Sequence, residues 1–169
     1  MAIKNMQAMF LSELGDIYDA EHQFLEGQQK MLEAATAPKL KQMITKHIGE
    51  TEGHIRNLEQ VFQILGETPQ RVPCAGAKGL VTEASKLLRE TASAPEIRDY
   101  AIAGAAAKVE HYEIVSYEGL ISAAKEMGAE PVVKLFQQNL QQEQKTAQLI
   151  EENEPMLLQT ALAAAPAMI

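Results

Sequence analysis

Apolar side chains recur at helical spacing near the start of the chain: Phe10, Leu14, Ile17, then Glu21, then Phe24 or Leu25, Gln28 and Met31. This period predicts helix A from about Lys4 to Ala35. Glu21 sits in mid-stripe, where a carboxylate without a partner is costly. Pro38, suited to a first turn, opens helix B, whose stripe is Leu40, Ile44, His47, Thr51, His54, Leu58, Val61 and Leu65 before Gly66. The A–B connection is short enough to make the two helices antiparallel neighbours. "GETPQRVPCAGAKG" (66–79) reads as loop, and "LVTEASKLLRETA" (80–92) as a short amphipathic helix. Ser93 is expected to cap helix C, which carries Pro95 in its first turn and reaches about Met127. Gly128 stops it, and Pro131 opens helix D, which continues to about Asn153 ahead of Pro155.

Two tight hairpins joined by one long connection describe an all-α, ferritin-like four-helix bundle. The expected organisation is a single domain over 1–169: hairpin A/B about 4–66, crossover 67–93, hairpin C/D about 94–153, and an apolar tail at 154–169. The hairpins also repeat each other. A shift of 92 residues carries Glu21 onto Glu113 and "LEG" (25–27) onto "YEG" (117–119). With one residue added at the turn, a shift of 93 carries Pro38 onto Pro131 and Glu50 onto Glu143. Counted from the turns at the helical rise, all four glutamates lie roughly 20–24 Å along their helices.

Four carboxylates cannot share one buried layer without cations or protons, and metal answers the need economically. Glu110 lies one turn from Glu113 and His54 one turn from Glu50, each on a shared helical face. The candidate ligands are therefore Glu21, Glu50, His54, Glu110, Glu113 and Glu143, holding two metal ions. Bridging carboxylates with imidazole suit Fe, Mn or Zn better than Mg or Ca. The competing reading of the glutamates is four partly exposed acids on amphipathic helices. Glu110 has Lys108 as a candidate partner, and His54 is a ligand or else a hydrogen-bonded core histidine. His47 lies on the turn side of Glu50 and reads as core filler. His22 and His111 are rotated towards solvent, while Tyr18 packs in the bundle or reaches a bound ion. Gly27, Gly49, Gly53 and Gly119 are expected to allow close helix approach around the site, against the alternative of tolerated surface glycine.

The 169 residues carry a net charge of −8, are 46% apolar and hold 5% aromatic residues with no Trp. Such a charge speaks against nucleic acid and anionic membrane surfaces as partners. One cysteine, Cys74, permits no internal disulfide and fits a reducing compartment. No signal peptide is expected at the N-terminus, and the C-terminal "MLLQTALAAAPAMI" is too short to span a bilayer. A cytoplasmic protein is the expectation.

With "DIYDAEHQ", "HIGETEGHIRNLEQVF", "KVEHYEI" and "LQQEQKT" in view, the chain resembles the YciF-like family of bacterial ferritin-like stress proteins over most of residues 5–153. The resemblance implies a ferritin-like bundle with a two-metal centre, commonly assigned to iron, in a cytosolic dimer raised under stress. It places acids at Glu21, Glu50, Glu110, Glu113 and Glu143. The chain departs from the Glu-x-x-His pattern of bacterioferritin and rubrerythrin, since Glu50 is followed by Gly53 and Glu143 by Thr146. Two function classes follow: a redox protein that consumes O2 or peroxide, or a structural protein whose metal ties two hairpins together and which acts through dimer or partner contact. Iron storage is a third, for which the cage contacts of ferritins are not identifiable in the sequence.

Overall fold

A computed structural model describes residues 3–164. Among the described residues there are five helices and no strand: α1 (Met6–Ala34), α2 (Pro38–Ile64), α3 (Ala75–Glu90), α4 (Pro95–Glu126) and α5 (Glu130–Ala164). The stop and start signals act as their chemistry dictates. Asn5 Oδ1 accepts from Ala8 N at 2.8 Å and caps α1. Pro38 and Pro95 occupy first turns, where no N–H is needed. Gly66 (φ 74°) and Gly128 (φ 70°) take the left-handed conformation just past α2 and α4.

Three boundaries differ from the expectation. α3 begins at Ala75, inside the stretch read as loop, because the Cys74 thiol accepts from Ala77 N at 3.3 Å and supplies the cap. Ser93 does not cap α4; Ala94 is the N-cap, with no side-chain bond. α5 runs through Pro155 to Ala164. Proline there removes the bond to the Glu151 carbonyl, but Glu151 is exposed, so water can take that oxygen. Ile150, Leu157 and Ala161 meanwhile keep the apolar spacing, and Ile150 and Leu157 pack with Ala103 of α4. Residues 165–169 of the expected tail lie outside the described residues.

α1 pairs with α2 and α4 with α5, while α2 also packs on α5 and α1 on α4, so the four long helices close a ring around one core. Phe10, Leu14, Phe24, Leu58, Tyr117 and Phe136 fill its centre. α3 lies against α1 and α4. Asp19 ties the chain before α3 to α1, accepting from Arg71 Nε and Cys74 N at 2.8 Å each and from Gln23 Nε2 at 2.6 Å. No described helix is long and apolar enough to cross a membrane.

The glycines that permit close approach are not those expected. A Cβ on Gly15 would stand 2.6 Å from Val72 Cγ2, and one on Gly76 would stand 2.7 Å from the Tyr112 ring. At Gly27 a Cβ meets Val81 at an ordinary 3.6 Å, at Gly53 it reaches only the end of Arg56 at 3.8 Å, and at Gly49 and Gly119 it meets nothing. Gly76→Ala is therefore expected to destabilise by about 1–3 kcal/mol through forced ring displacement. Gly119→Ala, in open space within a helix, is expected to stabilise by about 0.5–1 kcal/mol. Thermal melts of the two variants should move in opposite directions; a parallel shift would contradict the packing described.

Candidate metal centre

Each wall of the core contributes buried acid or imidazole. α1 supplies Glu21, α2 supplies His47 and His54, α4 supplies Glu110 and Glu113, and α5 supplies Glu143. These side chains form two groups whose ligand atoms lie within 4.8 Å of one another: His47, Glu110, Glu113 and Glu143 in one, Glu21, His54 and Glu143 in the other. Glu143 belongs to both. Glu21, His54, Glu113 and Glu143 are wholly inaccessible to solvent.

The atoms turned towards each other lack hydrogen-bond partners. Both oxygens of Glu113 and Glu143, Oε2 of Glu21 and of Glu110, His47 Nε2 and His54 Nδ1 are all orphaned. His54 Nδ1 comes within 2.8 Å of Glu143 Oε1, and His47 Nε2 within 3.1 Å of Glu110 Oε1. Neither contact is aligned as a hydrogen bond. Buried polar atoms are almost always satisfied in native proteins. A convergent set of unsatisfied carboxylate oxygens and imidazole nitrogens is the donor chemistry that divalent transition metals take up.

The opposite faces of the same side chains are anchored. His54 Nε2 lies 2.8 Å from Gln142 Oε1, a partner that suits a proton on this nitrogen, so that a neutral imidazole would present Nδ1 as the lone pair facing the centre. His47 Nδ1 faces Thr146 Oγ1 at 3.2 Å and Glu50 Oε2 at 3.5 Å, which leaves Nε2 free in the same way. Carbonyl or carboxylate partners on the far nitrogen orient metal-binding histidines and raise their basicity. Glu21 accepts a short hydrogen bond from the Tyr117 hydroxyl. That hydroxyl accepts from Asn139 Nδ2 at 2.9 Å, and Asn139 Oδ1 accepts from Asn57 at 2.7 Å.

The structure thus brings together Glu21, His54, Glu110, Glu113 and Glu143 and leaves Glu50 outside both groups. Glu50 pairs with Lys46 and with His47 Nδ1 at the edge of the core. His47, read from sequence as core filler, takes a place in the first group instead. Lys108 is engaged by Glu83 at 2.8 Å, not by Glu110. Tyr18 turns its hydroxyl to Glu59 at 3.1 Å, away from the centre. Exposed His111 stands 3.6 Å from Glu151. Half-buried His22 lies edge-on to Tyr18. Tyr117 was missed, although a tyrosine at a core position needs a partner for its hydroxyl.

Without metal, protons must balance the charges. Burial, with Glu143, Glu21 and Glu110 close by, pushes the Glu113 carboxyl well above its ordinary value. Burial also lifts Glu143 to about 8, although His54 pulls the other way. Burial alone would lower the histidines, but Glu110, Glu50 and Glu143 raise His47 to about 10, and Glu21 with Glu143 raises His54 to about 11. His47 and Lys46 hold Glu50 down at about 2.

Glu113, Glu143, His47 and His54 all bind protons more tightly folded than unfolded. Their stabilisation is complete below the unfolded values of 4.5 and 6.5, and is lost as pH rises towards the folded ones. Glu50 acts in the opposite sense, but only below its unfolded value of 4.5. The melting temperature of chelator-treated protein is therefore expected to fall between about pH 5 and pH 9. Saturating divalent metal should flatten that fall by taking the place of the protons. A rise with pH in the chelated protein would contradict this charge balance.

Comparison with known proteins shows the family of the chain. The family described as "Domain of unknown function (DUF892)" matches residues 5–163. Protein YciF of Escherichia coli K12 is 35% identical over 147 residues, spanning 86% of this chain and 88% of its own. The crystal structure of that stress protein superposes with a TM-score of 0.87 at 32% identity, covering 93% of this chain and 99% of its own. YcfI of Rhodopseudomonas palustris, described as a candidate structural protein, superposes with a TM-score of 0.86 at 38% identity, covering 88% and 94%. The chain belongs to the DUF892 family and is a relative of the E. coli stress protein YciF.

Proposed function

We propose that this chain is a ferritin-like four-helix bundle holding two metal ions, iron before manganese or zinc, and that the loaded protein consumes O2 or peroxide in the bacterial stress response. One observation carries the reading: orphaned carboxylate oxygens and imidazole nitrogens converge from four helices at full burial. His47, Glu110 and Glu113 would serve one ion, Glu21 and His54 the other, with Glu143 shared. When bound, such a pair of ions supplies the electrons and the Lewis acidity. The chain's own residues do the rest. Gln142 and Glu50 hold the two imidazoles in one tautomer, Tyr117 keeps a proton beside Glu21, and the surrounding apolar side chains exclude water.

The test has two stages. Elemental analysis of protein purified without chelator should give two ions per chain. Anaerobic loading with Fe(II), followed by stopped-flow mixing with O2 or peroxide, should then show metal-dependent consumption of one of them. No consumption of either would end the redox reading.

A second reading gives the metal a purely structural role, with function residing in partner contact. The description of the Rhodopseudomonas relative favours it, as do the exposed Met156, Leu158 and Leu162 near the end of α5. A cytoplasmic homodimer joined in part by that apolar stretch is the matching expectation, and analytical ultracentrifugation checks it. If metal raises the melting temperature and no oxidant is consumed, the structural role stands.

A further inference from the structure

The crossover helix α3 roofs a pocket that the reading of the metal centre does not use. Val81, Ala84 and Leu88 of α3 form one wall, and Met31 and Ile44 face them from α1 and α2. The outer end lies at exposed Lys30 and half-buried Ser85, and the lining includes buried His47 and Glu110 at its deep end. His47 Nε2 and Glu110 Oε2, both orphaned, belong to the first ligand group. The pocket therefore connects the surface with one side of the candidate metal centre.

Size and polarity narrow what can travel there. The free volume is about 50 Å³. A single water needs roughly 10–15 Å³, whereas a cavity that takes benzene measures about 150 Å³. A molecule of two heavy atoms fits and an aromatic substrate does not. Between the mouth and the ligands the walls are almost entirely hydrocarbon, supplied by Leu, Ile, Val, Met and Ala. Peroxide would have to shed its water with only Gln28 Oε1 and the Thr146 hydroxyl to partner its hydroxyls short of the ligands, which is unfavourable. Dioxygen gives up no hydrogen bonds on entering.

We propose that the apolar pocket under α3 is the passage by which dioxygen reaches the His47–Glu110 side of the centre, and that its lining disfavours peroxide. This rests on the redox reading above and selects between its two oxidants. It also gives the crossover helix a task, and a larger side chain at Ala84, a buried residue of the lining, would fill the way.

Xenon, an apolar probe of suitable size, tests the passage without metal. Methyl NMR of the metal-free protein under xenon pressure should show shifts confined to methyls that line the pocket, among them Val81, Ala84, Leu88, Met31 and Ile44. Ala84→Phe should abolish them, and Val81→Phe serves if the first variant does not fold. After anaerobic loading with Fe(II), the phenylalanine variant should consume O2 at least tenfold more slowly than the parent, with its peroxide rate changed less than twofold. Absence of xenon shifts in the parent protein, or equal slowing of both oxidants, would overturn the proposal. Xenon in the pocket of a loaded protein that consumes neither oxidant would overturn the redox reading instead, and with it the passage's role.

Discussion

Glu113→Gln is expected to abolish high-affinity metal binding while making the metal-free protein more stable. The two halves have one cause. Glu113 lies fully buried among Glu21, Glu110 and Glu143, and neither of its oxygens has a hydrogen-bond partner. Burial and these neighbours raise its folded-state pKa, so above the unfolded value of 4.5 folding forces a proton onto it, at increasing cost with pH. Glutamine keeps the shape and needs no proton. At about pH 7.5 the metal-free variant should gain about 1–3 kcal/mol, or roughly 3–8 °C in melting temperature. Below about pH 4.5 the gain should vanish, because both side chains are then neutral. With metal present the order reverses. Removing groups behind metal ligands already weakens binding 10- to 100-fold, so loss of Glu113 itself should weaken it by about 100-fold or more. A parent protein at 1,000 times its Kd gains about 4 kcal/mol from metal, which the variant would lose. Calorimetric melts with and without Fe(II), across that pH range, read both signs at once. If the variant were less stable without metal, the carboxylates would not be repelling one another as described.

Much of this centre was legible from periodicity because an acid on an apolar stripe announces itself. Glu21 stands where a hydrophobic residue should be, the internal repeat carries it onto Glu113 and carries Glu50 onto Glu143, and Glu110 shares a face with Glu113 one turn away. Glu50 and His47 were exchanged for a geometric reason. Height along the helix was given more weight than rotation about its axis. At about 100° per residue, His47 and His54 lie within roughly 20° of one another, whereas Glu50 is rotated by roughly 60° from His47. Glu50 has the right height and the wrong azimuth. His47 has the right azimuth, and it reaches Glu110 and Glu143 from one turn nearer the A–B connection. Contacts between distant segments left no local trace at all. Gly15 and Gly76 meet Val72 and Tyr112 from elsewhere in the chain, and a proline that normally ends a helix is carried through because the apolar face beyond it packs on α4.

Asp99 belongs to the same class of hidden contact, and Asp99→Ala is expected to cause the largest loss of stability among substitutions outside the candidate metal centre. The turn between α1 and α2 has a gap in its own hydrogen bonding, because Ala37, the N-cap of α2, offers no side-chain cap. Asp99 of α4 fills it from across the fold. Its Oδ1 accepts from Thr36 N at 2.8 Å, and its Oδ2 accepts from Thr36 Oγ1 at 2.6 Å and Ala37 N at 2.7 Å. The carboxylate is buried. Each hydrogen bond to a charged acceptor contributes about 1.5–3 kcal/mol. Water can reach part of the exposed turn and recover some of that, so the loss should be about 2–4 kcal/mol. For a chain of this length that corresponds to a fall of roughly 5–15 °C in melting temperature. Thr36→Val keeps the Thr36 backbone donor and removes only the hydroxyl, so it should lose about 1 kcal/mol. In the double variant the two losses should not add, since the threonine hydroxyl has no acceptor once Asp99 is gone. Glu110 lies about 16 Å farther along α4, so metal stoichiometry should survive every one of these changes. Loss of metal together with stability in Asp99→Ala would mean that the turn and the centre are one cooperative unit, and that the clamp acts on the site as well as on the fold.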